Sequence, residues 1–240
     1  MYQARHYRKD LRADDLVRFE VVSDETDLLI MADADYTAIA RAAVREVRRN
    51  LTRYIENHPE FATSFIPLKA GADAPEVVRQ MCAASQDVGV GPMAAVAGAV
   101  AGVVGERLLE TSEQVIIENG GDIFMSTKRS RRVSIYAGKS PLSGKVGVSI
   151  PGRSCLGICT SSGTIGHSRS DGCADSAMVI SEDIALADAA ATALGNRIQG
   201  PDEIDGALQW IKTVERIMHA VVIVGEHFGT WGQLEIIPIG

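Results

Sequence analysis

The stretch 184–198 restricts the fold of this chain more than any other, because it is an alanine-rich helix with oxygen-bearing side chains along one face. Asp188, Thr192 and Asn196 recur there at every fourth residue, and residues four apart on a helix lie about 5–6 Å from each other at Cβ. A carboxylate and a hydroxyl at that spacing can bind one hard cation, which prefers oxygen ligands. A solvent-exposed stripe would typically carry Lys, Glu and Arg rather than Thr among alanines. The alternative, that this face packs against another element and satisfies its polar groups locally, stays open.

Size and composition predict one large domain or two closely packed halves. The chain has 240 residues, of which 46% are hydrophobic, which is enough for a sizeable core. Its formal net charge of −7 gives no electrostatic footprint for nucleic acid. The four cysteines form no C-x-x-C pair, so a structural zinc site is not expected. Reduced thiols in a cytoplasmic protein are the expected state.

Neither a secretory signal nor a membrane anchor is expected. The first residues carry no apolar core followed by a small-residue cleavage site. The longest apolar stretch, 90–109, is long enough for a membrane span. Its many alanines and glycines, and the charged loops nearby, favour a buried helix instead.

Hydrophobic periodicity predicts a mixture of strands and helices typical of α+β proteins. Strands are predicted at 16–20, 26–32, 114–118, 123–126, 133–137, 145–150, 174–180, 220–224 and 234–237. Helices are predicted at 35–57, 75–85, 92–109, 182–198 and 201–218. The glycine- and serine-rich segment 155–172 is too polar for a core element and too specific for a spacer, and an irregular loop is predicted at 157–168.

Two stretches, 92–121 and 182–226, follow a similar order of elements. Each begins with a helix of small residues and leads to an apolar strand and a glycine-containing turn. This similarity predicts a duplicated strand-and-helix unit. A cleft between two such halves would suit a ligand.

A glycine-rich turn at 88–95 precedes a predicted helix. Helix N-termini carry unpaired N–H groups and the positive end of the helix dipole, so Gly91 and its neighbours suit a phosphate or carboxylate. Gly98, Gly102 and Gly105 recur at about one helical turn and let another element pack closely. The alternative is that all of these glycines serve packing alone.

Glu118 and Asp122 flank the sequence Asn119-Gly120-Gly121 between two apolar runs. Asn-Gly is first of all a hairpin signal, because both residues tolerate positive φ. Turn chemistry explains the glycines but does not require either carboxylate. A structural turn and a binding site therefore both remain open here.

The segment 157–168 carries five hydroxyls, a thiol and an imidazole on a predicted irregular loop, and binding residues often lie on such loops. His167 can act as a proton donor near neutral pH or hydrogen-bond a ligand. No recognisable Ser-His-Asp pattern accompanies it. Cys159 is a nucleophile candidate, although a small buried cysteine is the more common role.

Taken together, these blocks resemble the ApbE-like superfamily, and above all its branch of proteins without an assigned activity. The blocks are 90–99, 118–122, 159–168 and 187–193, with further similarity at 6–8 and 58–61. The similarity to that branch extends over nearly the whole chain. The similarity to ApbE itself is limited to the last three blocks.

ApbE proteins are flavin transferases that bind FAD, use Mg²⁺ to cleave its pyrophosphate, and attach FMN to a Thr or Ser hydroxyl of a target protein. The resemblance implies an α+β fold, internally duplicated from T-fold-like units with mainly antiparallel sheets packed against helices. It is compatible with a single domain of residues 1–240 whose two halves are about 1–126 and 127–240. Implied partners are a flavin or another nucleotide and a protein acceptor, and a homo-oligomer is left open.

The resemblance also implies roles for individual residues. Asp188 and Thr192 correspond to the Mg²⁺ ligands, and Asp188 and His167 are the catalytic candidates. The residues expected to bind FAD or a related cofactor are Gly91, Asn119, Gly120, Gly121, Asp122, Thr160, Ser161, Ser162 and Gly163.

The chain departs from the family in two places. A short segment, 166–172, follows the serine loop in place of the usual longer motif, and no lysine follows Gly91. These changes affect flavin and acceptor recognition more than the Asp/Thr helix. Three functions therefore remain: a Mg²⁺-dependent enzyme acting on a flavin or another pyrophosphate-containing nucleotide, a non-catalytic flavin-binding module, or sulfur transfer by Cys159 and Cys173 with His167.

Overall fold

The computed structural model describes residue 8, residues 13–163 and residues 172–239. The strands are β1 Val17–Ser23, β2 Thr26–Ala32, β3 Val115–Asn119, β4 Asp122–Thr127, β5 Arg131–Ser134, β6 Val146–Ile150, β7 Ser154–Ser161, β8 Ser176–Ser181, β9 Ile217–Val224, β10 His227–Gly232 and β11 Glu235–Pro238. The helices are α1 Thr37–Asn57, α2 Glu60–Thr63, α3 Glu76–Val88, α4 Val96–Leu109, α5 Ile184–Gly195 and α6 Ile204–Ile211, with 3₁₀ turns at Pro92–Ala95 and Pro201–Glu203.

Eight strands form one antiparallel sheet in the order β1-β2-β3-β4-β7-β8-β9-β10. Helices cover one face of it: α1 contacts β1, α4 contacts β3 and β4, α5 contacts β7 and β8, and α6 contacts β9 and β10. A smaller sheet, β11-β6-β5, covers the other face. This architecture confirms the predicted α+β fold of mainly antiparallel strands packed against helices.

Alternation along the strands produces two separate cores, because successive side chains point to opposite faces of a sheet. On β3, Val115 and Ile117 belong to the core on the helix side, whereas Ile116 packs toward the small sheet. On β8, Val179 and Ile180 divide in the same way. A polar residue on a central strand therefore faces either the helices or the small sheet, and its position in the alternation decides which.

α4 and α5 lie unusually close together, and a glycine makes this possible. A Cβ atom on Gly98 would lie 2.8 Å from the Asp188 Cβ and 2.8 Å from the Ile184 carbonyl oxygen. Real Cβ atoms do not approach other heavy atoms so closely. The small residues that the sequence places on these helices thus bring the α5 carboxylate against the α4 backbone.

One helical stretch, Pro92–Leu109, is long and apolar enough to cross a membrane by those two criteria alone. More than half of it is buried within the protein, where α4 contacts α1, α5, β3 and β4. The core helix of a globular domain has the same properties.

The prediction of an irregular loop at 157–168 is wrong in its first part, because β7 is a central strand between β4 and β8. The small residues of β7 are required by the helix above it. A Cβ atom on Gly157 would lie 2.4 Å from the Ile184 Cα, so only a residue without a side chain fits beneath α5. Leu156 and Ile158 fill the opposite core. Small residues on one face therefore mark a close helix rather than an absent strand.

The C-terminal elements also differ from prediction. The helix expected at 201–218 ends at Ile211, and β9 begins at Ile217 and so includes the last residues assigned to that helix. β10 was not predicted, because it is an edge strand with mostly exposed residues and no hydrophobic alternation. The other predicted strands and helices are present with small shifts at their ends.

The order strand pair, helices, strand pair occurs twice in the chain. The first set is β1–β2, α1–α4 and β3–β4, and the second is β7–β8, α5–α6 and β9–β10. The two four-stranded groups meet where β4 pairs with β7, near the predicted boundary at 126/127. A duplication of the sequence itself, and the division into two halves, stay predictions.

Candidate functional site

Two carboxylates, those of Asp122 and Asp188, lie together between the sheet and the helices. Asp122 is the first residue of β4 and faces the helix side, in the same alternation as Phe124. Asp188 lies on α5 and is 8% exposed, while Asp122 is 6% exposed. The two are close enough for the charge of Asp122 to affect the ionisation of Asp188.

Backbone N–H groups hold both side chains. The Gly98 N–H donates to the Asp188 Oδ2 at 2.7 Å, and the Thr160 N–H donates to the Asp122 Oδ1 at 3.2 Å. The Cys159 thiol also hydrogen-bonds to Asp122. The carboxylates are therefore oriented by α4 and β7, not free to turn toward water.

Burial changes the ionisation of the site. It raises the pKa of Asp122 to about 7, and the negative charge of Glu118 acts in the same direction, while hydrogen bonds from Thr160 and Cys159 oppose it. Burial, followed by the charge of Asp122, raises the pKa of Asp188 well above its usual range. Near neutral pH, this pair either retains protons or requires a compensating cation.

The thiol of Cys159 is fully buried. Burial raises its pKa well above the usual range, and the nearby carboxylates Asp122 and Asp188 raise it further. A thiolate is the reactive form of cysteine. The geometry therefore gives no support to Cys159 as a nucleophile.

A tight turn joins β3 to β4 above the carboxylate pair. Gly120 and Gly121 have φ of 70° and 109°, as in the turns that favour glycine in two-residue hairpins. Asn119 and Asp122 form the closing pair of the hairpin. The Asn119 Nδ2 donates to the Ala97 carbonyl oxygen at 2.9 Å, which ties the turn to the start of α4.

The opposite face of the same hairpin carries a second buried polar group. Glu118 accepts a hydrogen bond from the Gly121 N–H at its Oε1, at 2.8 Å, and its Oε2 accepts from the Arg8 Nε. The Arg8 Nη1 forms an ion pair with the Asp27 Oδ1 at 2.8 Å. Sequence reasoning did not identify Asp27, and it noted Arg8 only as part of a family resemblance.

Six of the twelve predicted site residues gather around this hairpin. Asp188, Asn119, Gly120, Gly121, Asp122 and Thr160 are brought together by β3, β4, β7 and α5. Thr192 lies one helical turn after Asp188 and is half-buried, so the predicted spacing on one face of α5 is present. Their roles in catalysis, metal binding and cofactor binding stay predictions.

Ser161, Ser162 and Gly163 follow Thr160 at the end of β7. Ser161 is buried, and its hydroxyl has no hydrogen-bond partner among the residues that the structure describes. It lies on the same strand face as Cys159, on the side of the helices. His167 lies outside the described residues, as does the rest of 164–171.

Gly91 has a structural reason of its own. A Cβ atom there would lie 1.8 Å from the Ser64 carbonyl oxygen, so this position is closed to any larger residue. It also precedes a 3₁₀ turn, Pro92–Ala95, and not the α-helix itself. The geometry favours the packing interpretation, and anion binding at Gly91 stays a prediction.

The donor set is compatible with Mg²⁺. Among residues 13–163 and 172–239, with residue 8, no group of three or more His, Cys, Asp or Glu side chains is arranged to hold a metal ion. Mg²⁺ usually keeps several waters and is bound by one or two carboxylates together with substrate phosphates. The two buried carboxylates of Asp122 and Asp188 provide protein ligands of this kind.

The family model described as AbpE bacteria matches residues 8–225. A UPF0280 protein of Methanocella arvoryzae is 42% identical over 212 residues, which are 88% of this chain and 86% of that protein. A UPF0280 protein of Methanosarcina acetivorans is 42% identical over 213 residues, or 88% of this chain and 84% of that one.

Solved structures share the fold at much lower identity. The apo form of the flavinyl transferase ApbE from Pseudomonas stutzeri superposes with a TM-score of 0.58 at 15% identity, covering 90% of this chain and 93% of that one. The flavin transferase ApbE from Vibrio cholerae gives a TM-score of 0.53 at 14% identity, covering 90% and 96%. These superpositions confirm the α+β fold that the sequence resemblance implies, and its internal duplication stays a prediction.

Proposed function

The chain belongs to the AbpE bacteria family, and we propose that it binds a flavin or another pyrophosphate-containing nucleotide together with Mg²⁺ beside Asp122 and Asp188. Transfer of a flavin nucleotide to a hydroxyl of a protein acceptor is the further step of this proposal. The fold shared with flavin transferases supports it. The observation that carries it is the buried pair of carboxylates under the Gly120–Gly121 turn.

A cation explains why two acids are buried side by side. Placing ionised carboxylates in a poorly solvated site is unfavourable unless they are paired or bind a metal. The Gly98 and Thr160 N–H groups supply hydrogen bonds to Asp188 and Asp122, but no positive charge. Mg²⁺ would supply it, with Thr192 or Ser161 as an additional oxygen ligand.

The same contacts indicate how phosphates would be held. The N–H groups of Gly98 and Gly121 already donate to Asp188 and Glu118, so neither is available to a phosphate oxygen. The pyrophosphate would therefore bind through the cation. When bound, Mg²⁺ neutralises the charge that develops on the phosphates.

Within this proposal the chain's own residues position the reactants. Asp122 and Asp188 would hold the cation, and the Gly98 N–H fixes the orientation of Asp188. The Gly120–Gly121 turn leaves room for a ligand above them, because neither residue has a side chain. His167 is retained as a candidate proton donor.

The direct test is an incubation of the purified protein with FAD and Mg²⁺, in which water takes the place of the acceptor hydroxyl and the products are FMN and AMP. AMP is measured by chromatography and FAD affinity by fluorescence quenching. AMP release that stops with EDTA and returns with Mg²⁺ would support the enzyme. A folded protein that neither binds FAD nor releases AMP would refute both binding and catalysis.

A non-catalytic binding module is the second candidate. The short segment 166–172, which stands in place of the family's longer motif after the serine loop, favours it, because that departure affects flavin and acceptor recognition. Saturable quenching of FAD fluorescence without AMP release is its expected result. Sulfur transfer receives no structural support, since burial keeps the Cys159 thiol protonated.

A further inference from the structure

We propose that Arg8 is a positioning residue, which fixes the Gly120–Gly121 turn through Glu118 and thereby places Asp122. Arg8 acts from the opposite face of the sheet and does not touch the candidate site. The inference deepens the proposed function and rests on it for its binding readout, whereas its structural readout is independent.

Arg8 connects parts of the chain that are far apart in sequence. Its Nε donates to the Glu118 Oε2, 110 residues away. Its Nη1 donates to the Asp27 Oδ1 at 2.8 Å, and its Nη2 to the Asp27 carbonyl oxygen at 2.7 Å. All three side chains are buried. One planar guanidinium thus supplies positive charge to two buried carboxylates, a geometry that Lys cannot reproduce.

Glu118 transmits this arrangement to the turn. While its Oε2 is held by Arg8, its Oε1 accepts the Gly121 N–H at 2.8 Å. Gly121 has φ of 109°, and glycine is intrinsically free in this region, so the backbone there depends on its hydrogen bonds to remain in place. Asp122 is the next residue. Its carboxylate meets the Thr160 N–H on the other face of the sheet.

Removing Arg8 would leave the Glu118 carboxylate without the guanidinium that orients it. A buried carboxylate that loses its cationic partner tends to gain a proton or to move toward water. Either change weakens the bond to the Gly121 N–H. The effect should be local, because Asn119 still ties the turn to Ala97.

The test compares Arg8→Met, Arg8→Lys and Arg131→Met by amide hydrogen exchange. Arg131 is the matched control, because its guanidinium binds Asp15 at 2.7 and 2.9 Å and does not touch the turn. In Arg8→Met we expect the Gly121 amide to exchange at least about tenfold faster, as for loss of a hydrogen bond to a charged group. Amides of the central strand β8, such as that of Val179, should be unchanged. Arg8→Lys should lie between wild type and Arg8→Met.

If Arg8 only stabilised the fold, Arg8→Met would accelerate amide exchange throughout the sheet and not at Gly121 in particular. Wild-type protection of Gly121 in a folded Arg8→Met protein would overturn the inference, as would equal acceleration in Arg131→Met. If Arg8→Met does not fold, the comparison of Arg8→Lys with wild type decides in the same way.

FAD affinity in the presence of Mg²⁺ separates this inference from the function on which it rests. We expect weaker binding in Arg8→Met and none of this loss in Arg131→Met. A wild-type protein that binds no FAD would refute the proposed function, and Gly121 exchange would still decide the role of Arg8. If the wild type binds FAD and Arg8→Met binds it with the same affinity, the inference about Arg8 is overturned and the proposed function is not.

Discussion

Glu118 and Asp122 place their carboxylates on opposite faces of the same hairpin. Glu118 precedes the Gly120–Gly121 turn and points to the face where Arg8 lies, and Asp122 follows the turn and points to the helix side, near Asp188. The sequence motif that places two acids around a glycine turn therefore serves two purposes. One acid anchors the turn, and the other forms the candidate site.

The first prediction concerns pH. The pKa of Asp122 is raised from 3.8 to about 7 in the folded protein, so between these values the folded state binds a proton that the unfolded state has lost. The contribution of Asp122 to the free energy of unfolding should therefore fall as pH rises from about 4 to about 7, on the order of 1 kcal/mol per pH unit.

Urea unfolding at a series of pH values, without divalent cations, measures this slope. Asp122→Asn should flatten the curve over this range, and Mg²⁺ should reduce the loss in wild type if it binds the pair. The same slope in Asp122→Asn and wild type would show that Asp122 does not carry this dependence.

The second prediction separates the function of Asp188 from its structural role. Asp188→Asn keeps an oxygen that can accept the Gly98 N–H but removes a buried charge, so stability at pH 8 should be equal or higher. Mg²⁺-dependent FAD binding or AMP release should be lost. This opposition of stability and activity is typical of acids kept for function.

Asp183→Asn, at the N-cap of the same helix, is the matched control. Asp183 caps α5 by accepting the Leu186 N–H at 3.1 Å, and Asn caps helices about as well as Asp. We expect activity close to wild type. Equal loss in both variants would indicate a general effect of charge on α5.

Much of the fold could be predicted from the sequence, because alternation and periodicity are local signals. The hairpin of β1 and β2 and the helices α1 and α5 are examples. β7 was missed because its residues Gly157 and Cys159 are small to admit α5, and sequence alone does not reveal which element lies above a strand. The family resemblance predicts Asp188 as a site residue, whereas helix periodicity alone leaves two interpretations.

Other features depend on long-range pairing and had no local signal. The bond between Arg8 and Glu118 joins residues whose proximity follows only from the strand order. The same holds for the contact between Gly98 and Asp188, which requires knowing that α4 and α5 are neighbours. Nothing in the local sequence around Gly98 or around Asp188 indicates that the two residues are in contact.

The third prediction concerns thiol reactivity. Cys155 is exposed, whereas Cys82 and Cys159 are buried. Partial desolvation by neighbouring groups, followed by the charge of Glu106, still raises the pKa of Cys155, so its reaction with a disulfide reagent should be slow at pH 7 and accelerate with pH. Cys159 should react only on unfolding, and Cys159→Ala should retain FAD binding. Mass spectrometry after labelling of the native protein measures the rate at each cysteine. If Cys159 is labelled as fast as Cys155, Cys159 is not buried.

The last prediction tests the close approach of α4 and α5. In Gly98→Ala the new methyl group would meet the Asp188 Cβ and the Ile184 carbonyl oxygen, each at 2.8 Å. Backbone cannot easily move aside, so overpacking should lower the free energy of unfolding by about 1–3 kcal/mol and displace Asp188, weakening Mg²⁺-dependent FAD binding. Gly206→Ala on α6 is the control, since a Cβ there meets nothing within 4 Å, and it should be neutral or stabilising by up to about 1 kcal/mol. Thermal and urea unfolding of both variants measure the difference, and a Gly98→Ala protein as stable as Gly206→Ala would mean that the two helices are not held at this distance.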